Sequence, residues 1–415
     1  MKSKKGVRID DVSKSNSSAS MYSTTPYRSN TRTHTHTLVL GFPKYELSAY
    51  ASVFHIMSMR AAAELAIAAN DTASASKFSA AAARATASLD TLQWVNESTW
   101  TSQPNTYCPQ DYDYEGSGFT VEQCLAKTFG TSVFLSTNGR GECYTCRTSV
   151  TANESGYTLY TKSGVVGGSW AAASDGCTDK HGCTTQEGLF ADALYAQVLA
   201  YSAGLGTLVS SEAKLKRHLQ TQLTANCAHA EGSNLAAGCA NAGMVTLTGR
   251  AKLGPTDWQI WEGIPPNHAS LSIHTGQDPA TALENFHSSA TSWSARINDQ
   301  WNTAGIKDSD GYPTVTSHYG FHMVSWHVPL AISGQLADLS NSNNRTLTFA
   351  PAVSAPYTLP ILLPGILGTV ASPSVGKFIV QLSVGDLKLH VLAVDGHRAP
   401  GDIHLQVGAP VTWNA

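Results

Sequence analysis

Residues 46–69 read ELSAYASVFHIMSMRAAAELAIAA. Within this stretch Leu47, Tyr50, Phe54, Met57, Ala61 and Leu65 recur at spacings of 3, 4, 3, 4 and 4, which is one face of an α-helix. Asn70-Asp71-Thr72 breaks the pattern and can cap a second helix over about 73–95, rich in Ala and carrying Phe78, Leu89 and Leu92. Two helices across a short polar turn make an αα-hairpin. The Met and aromatic side chains on these faces read as core packing.

The same period returns further along. GLFADALYAQVLAYSAGL (188–205) predicts a helix, with Ser211 to Thr224 as its partner. Two more are expected over 258–275 and 279–301, separated by the stop-and-restart signal Thr275-Gly276-Gln277-Asp278-Pro279, and another over about 319–334, ending at Gly334. Residues 100–185 interrupt the series with Gly, Ser, Thr, Tyr and six of the eight cysteines, and read as an elaborated, disulfide-pinned insertion. A second, shorter Cys-bearing loop is expected over 225–256. The tail changes period. Thr346 to Phe349 reads as a short strand, Pro351, Pro356, Pro360 and Pro364 punctuate an extended stretch, and KFIVQLSV (377–384) and LKLHVLAV (387–394) flank Gly385-Asp386 as a two-residue hairpin. The expected class is therefore mainly α: about seven helices in antiparallel pairs, as in a helical toroid, with a small C-terminal β appendage. The expected organisation is a disordered tail over 1–40, a helical-hairpin domain over 41–345 with the insertion at about 100–185, and a β-rich segment over 346–415.

Composition bounds the partners. The chain has 415 residues, with 27 Lys plus Arg against 30 Asp plus Glu and a net charge of −3. That balance argues against nucleic acid or an anionic membrane, both of which need clustered positive charge. The most apolar run, Leu359 to Val370, is twelve residues and contains two prolines, whereas a helical span needs about 20. No transmembrane segment is expected. The N-terminus is basic with no apolar stretch behind it, so no signal peptide is visible; such a start fits a tail, or a sequence that begins inside a longer protein.

All eight cysteines fall between Cys108 and Cys239. An even number concentrated in loop-like sequence reads as a disulfide framework, with a zinc site using Cys143 and Cys146 as the rival and free thiols as a third possibility. N-x-S/T sequons at Asn16, Asn70, Asn96, Asn153 and Asn344 favour an oxidising compartment, the secretory lumen or the exterior.

The order of segments carries a resemblance. The αα-hairpin is followed by ADALYAQVLAYSAGLG (191–206), DWQIWEGIPPNHASLSI (257–273), YPTVTSHYGFHMVSW (312–326) and LTFAP (347–351). This resembles the catalytic region of glycoside hydrolase family 116, the group of non-lysosomal glucosylceramidases and bacterial β-glucosidases, over roughly residues 45–351 without the insertion. The resemblance implies an (α/α)6 toroid of the six-hairpin glycosidase type, incomplete at its N-terminal side, with the active site at one mouth. It also implies a retaining mechanism with two carboxylates about 5–5.5 Å apart, one attacking the anomeric carbon and the other protonating the leaving oxygen. Carbohydrate or glycolipid would be the partner, with no cofactor.

The candidate substrate-binding residues are Asp192, Trp261, Glu262, Tyr312, His318 and His322. Asp192 is expected mid-helix, facing the barrel mouth or capping a neighbouring loop. Trp258, Trp261 and Glu262 are expected to open a helix, where an indole can stack on a sugar ring; ordinary core packing is the alternative. His318 and His322, one turn apart, can hydrogen-bond sugar hydroxyls or serve as structural histidines; no acid accompanies them in the spacing a metal needs. Departures from the family matter as much. TRTHTHTLVL (31–40) has no carboxylate where the family carries its acid/base Asp, Tyr312 and Phe321 stand where it has Glu and Arg, and Gln259 replaces another Glu. The catalytic acids are not identifiable from this alignment. Two readings follow: a β-glucoside hydrolase, and a catalytically silent relative that binds carbohydrate.

Overall fold

The computed structural model describes residues 47–107, 112–116, 134–138, 140–146, 152–171, 173–174, 186–187, 189–227, 260–261, 263–297, 306–307, 313–315, 324–340 and 342–415, together with 121, 244 and 246–248. The expected tail over 1–40 lies outside them. Among the described residues there are seven α-helices and twenty-three strands in several sheets. The expectation of a mainly α toroid is thereby overturned: the chain mixes helices and antiparallel sheets.

Helices α1 (Ala49–Ala68) and α2 (Thr72–Gln93) form the expected hairpin. Asn70 turns the chain with a left-handed φ of 57°. Asp71 caps α2 by accepting the Ser74 N–H at 3.0 Å, and hydrogen bonding to Ser74 holds its carboxyl below the usual range. The buried stripe of α1 is Ala49, Val53, Ile56, Ala63 and Ala66, rotated from the expected one. Alanines on both helices allow close approach, so Phe54 and Met57 sit at the margin of the core and Leu65 is 72% exposed. Among the described residues α1 alone is long and apolar enough to cross a membrane, a weak signal that is consistent with the expected lack of a transmembrane segment. Its Val53 and Ile56 are fully buried in a protein core shared with Leu194, Leu215 and Trp170.

The larger correction falls on the insertion. It contains a five-stranded antiparallel sheet of β1 (Trp94–Tyr107), β2 (Tyr112–Gly116), β3 (Phe134–Asn138), β4 (Cys143–Cys146) and β5 (Ala152–Trp170), in the order β1-β5-β3-β4-β2. TWTSQPNTY and TLYTKSGVV supply β-branched and aromatic residues without an apolar alternation, so strand propensity is present while the usual period is hidden among Ser and Gly.

This sheet is joined to the helices where Trp94 pairs with Trp170. Trp170 is fully buried and donates its indole N–H to Asp90 at 3.0 Å. The other Asp90 oxygen accepts from Lys214 at 2.8 Å, and the Lys214 ammonium lies 4.7 Å above the Trp94 ring. Gly168 is required here, since a Cβ would sit 2.5 Å from the Trp94 indole.

The remaining helices are α3 (Tyr195–Ser202), α4 (Glu212–Cys227), α5 (Ile264–His274), α6 (Pro279–Ile297) and α7 (His327–Ser333). Two start later than their sequence pattern suggests. Leu189–Phe190 is a short strand and residues 191–194 a turn before α3, and Ile260–Trp261 is a strand paired with Ile306–Lys307 before α5. Helix α7 stops at Gly334, whose φ of 55° and approach to the Ala350 carbonyl exclude any side chain.

The C-terminal strands are β6 (Thr346–Phe349), β7 (Tyr357–Leu363), β8 (Ile366–Ser374), β9 (Lys377–Val384), β10 (Asp386–Leu389), β11 (Val391–Val394), β12 (Ile403–Gln406) and β13 (Val411–Asn414). Strands β7, β8, β9 and β13 form one antiparallel sheet, and β6 pairs in parallel with β11. The expected hairpin at Gly385-Asp386 is not formed. Gly385 (φ 90°) takes the chain out of β9, and β10 pairs with β12 instead. Phe349, Ile361, Val370, Val380 and Leu392 fill the core between these strands. The Gln335 side chain exchanges two hydrogen bonds with the backbone of Leu362, at 2.9 and 2.7 Å, satisfying part of the outer edge of β7.

Candidate functional site

Asp192 and Trp261 are the two sequence-selected residues that lie in the described structure, and they belong to one neighbourhood. Ala191, Met244 and Ile264 form a buried cluster against which Trp261 and Leu223 pack. Glu262, Tyr312, His318 and His322 lie outside the described residues.

The location of Asp192 differs from the expectation. It stands in the turn before α3 rather than mid-helix, because Leu189–Phe190 is taken into a strand with Leu247–Thr248 and the backbone then turns tightly. Its own carbonyl accepts the Tyr195 N–H at 3.1 Å, and the Ala191 N–H donates to Thr246 at 2.9 Å. Gln222 of α4 holds the turn from beneath, donating to the carbonyls of Phe190 and Ala191 at 2.9 and 3.1 Å. The Asp192 carboxyl is thus fixed inside the molecule, 5% exposed, between α3, α4 and α5.

Among the described residues one side chain is hydrogen-bonded to it. Asn267, in the first turns of α5, donates its Nδ2–H to Asp192 Oδ1 at 2.9 Å. Burial raises the carboxyl to about 7 in spite of that bond. Among the described residues no cation and no second carboxylate contributes to this shift. Tyr195, three residues on, is raised by its own burial and then by the charge of Asp192. An acid that keeps its proton near neutral pH is suited to giving it up in a reaction, as a general acid must.

Elsewhere on α4, α5 and α7 stand four buried or half-buried imidazoles that no motif singled out. His268 of α5 bonds through Nε2 to the Leu219 carbonyl at 3.0 Å, and His218 of α4 receives the Trp170 N–H on Nδ1 at 3.3 Å. Desolvation lowers them to about 4 and about 3, and each would repel the other if charged. Further along α5, His274 stacks on Tyr201 at 4.6 Å, and burial lowers it to about 4. His327 of α7 contacts Ser202 Oγ at 2.9 Å and is lowered by the same cause. These rings are neutral packing groups at physiological pH.

A separate shallow groove runs between α4 and the α5–α6 turn, lined by Lys216, Gln220, Ser272, Thr275 and Gln277 among others. Asp192 does not line it. Ser272 Oγ is buried there with no hydrogen-bond partner among the described residues. Among the described residues no three His, Cys, Asp or Glu side chains converge as a metal site. Cys143 is buried and disulfide-bonded, which removes it from a thiolate zinc site.

Asn267 is the functional candidate that the sequence reading passed over. It sits inside the IPPNHASLSI segment, but nothing local shows that it meets a carboxyl 75 positions earlier. Compared with models of known protein families and with curated proteins, the chain matches none.

Proposed function

We propose that this chain is a glycoside hydrolase-like protein acting on β-glucosides, in line with the family 116 resemblance of its motifs, and that Asp192, a substrate-binding position by that resemblance, is the proton donor to the leaving oxygen. The toroid that the same resemblance implied is not part of the proposal. The observation that carries the reading is the buried Asp192 carboxyl, raised to about 7 and lodged next to the cluster that holds Trp261. In the retaining scheme the Asp192 proton passes to the glycosidic oxygen, the aglycone leaves as an alcohol, and a second carboxylate takes the anomeric carbon before water releases the sugar.

A second reading is a catalytically silent carbohydrate binder. The polar groove with its unpartnered Ser272 hydroxyl favours it, as does the lack of a second carboxylate near Asp192 among the described residues. Hydrolysis of an aryl β-glucoside separates the two. Turnover that drops at least about a hundredfold in Asp192→Asn supports the hydrolase. Saturable glucoside binding without turnover supports the binder, and neither turnover nor binding overturns both.

The proposed location is the secretory lumen or the exterior. The disulfide at Cys143 supports it. So do the exposed sequon residues Asn70, at the α1–α2 turn, and Asn344, in the turn before β6. Protein made through a secretory route is expected to lose mass on enzymatic deglycosylation, with part of that loss absent in Asn70→Gln. A mass equal to that of the bare chain would count against this location.

A further inference from the structure

Asn267 presents both faces of its carboxamide to a buried region. Its Nδ2–H donates to Asp192 Oδ1, yet its Oδ1 is buried with no hydrogen-bond donor in reach among the described groups. A buried carbonyl oxygen left without a donor costs about 1–3 kcal/mol. The Asp192 carboxyl beside it, 5% exposed, is lightly bonded. Written as a carboxylate it offers several lone pairs and receives a single side-chain bond. The start of α5 ordinarily offers an anion free peptide N–H groups, but here Pro265 and Pro266 remove two of them and the Asn267 N–H is engaged with Gly263 at 3.3 Å.

Both deficits vanish with one proton. We infer that Asp192 and Asn267 form a reciprocal acid–amide pair, in which Asp192 carries a proton on Oδ2 and donates it to Asn267 Oδ1 while accepting the Asn267 Nδ2–H on Oδ1. Burial disfavours the ionised form of Asp192 and so works in the same direction as the pair, although the bond from the Asn267 Nδ2–H taken alone favours the carboxylate. The titratable groups on the surrounding elements do not oppose it. Tyr195 follows on the same turn, and His218 of α4 and His268 of α5 are uncharged near neutrality. The pair stands whether or not the site takes a β-glucoside. Only the role of Asn267 as a positioning residue, holding the Asp192 proton until a leaving oxygen competes for it, rests on the proposed function.

Infrared difference spectroscopy between pH 5 and pH 9 reads the pair directly on the whole chain. A protonated-carboxyl band is expected to persist to near-neutral pH, to vanish in Asp192→Asn, and to shift in Asn267→Leu, which offers no acceptor. Asn267→Ser, smaller and still polar, gives a second comparison if the leucine variant fails to fold; its band is expected to titrate at a different pH from that of the parent. The inference is overturned if no band assignable to Asp192 is present at pH 6, or if the band is indifferent to both changes at Asn267. Absence of glucoside turnover with the band intact and sensitive to Asn267 would sink the functional reading alone, and turnover with a band indifferent to both changes at Asn267 would sink the pair alone.

Discussion

Acidification from pH 6.5 to 4 is expected to unfold the protein steeply, with a net uptake of about two protons per chain. His218 and His268 are buried and His274 half-buried, all three neutral in the native state, with values lowered to about 3, 4 and 4 by desolvation. In the unfolded chain each returns to the ordinary imidazole value near 6.5. Below 6.5 the unfolded state therefore binds protons that the native state refuses, and stability is lost as pH falls. Each imidazole contributes about 1.4 kcal/mol per pH unit across that window. His327 acts in the same direction. Asp192 has the opposite sign: raised to about 7, it holds a proton when folded and releases it on unfolding anywhere above about pH 4, so one proton is subtracted from the uptake. Urea melts at several pH values measure the slope. His218→Asn, whose Oδ1 can replace Nδ1 as acceptor for the Trp170 N–H, should reduce it by close to one proton. A slope that stays flat down to pH 4 would show that these rings are hydrated in solution.

The second large effect is expected at Trp170. Its ring is fully buried, packs edge-on against Trp94 at 4.7 Å and lies 5.4 Å from His218, while its N–H is committed to Asp90. Trp170→Ala should destabilise the chain by about 3–5 kcal/mol, the range for deleting a large buried ring. Trp170→Phe keeps most of the packing and loses the bond to Asp90, so a smaller loss of about 1–2 kcal/mol is expected. Denaturant melts with an unchanged m-value check both. A loss below about 1 kcal/mol for the alanine variant would mean that the sheet and the helices are not joined through this residue.

The helical hairpin was legible in the sequence because Asn70-Asp71-Thr72 punctuates two long runs with helical period, and Asp71 does cap α2. Gly334 ends its helix as read, and Thr346–Phe349 is a strand. The strands inside the insertion were not legible because they are written in Thr, Tyr, Ser and Gly, where propensity without alternation is a weak signal. The segments at Asp192 and Trp261 were misread for the reverse reason. Both continue a helical pattern backwards into residues that are claimed by strand partners far away, Leu247–Thr248 and Ile306–Lys307. The hairpin at Gly385-Asp386 failed likewise, since β10 finds β12 rather than β9.

Asp192 and Trp261 were singled out from motif order, whereas nothing in the sequence singled out Asn267 or the buried imidazoles. Their roles come from tertiary partners: Asn267 matters because it meets Asp192, and His218 because the Trp170 peptide points at its ring. A fold whose helices and sheets alternate leaves such pairings to the packing, and no spacing within the chain announces them.

The claim on which the functional reading and the acid–amide pair both depend is that Asp192 keeps its proton near neutral pH. Carboxyl carbon-13 NMR of the chain labelled at aspartate, assigned with Asp192→Asn, measures this residue by itself. The account predicts a midpoint near 7, more than two units above an ordinary aspartate. A midpoint at or below 4 would show an ionised, hydrated carboxylate and would contradict it.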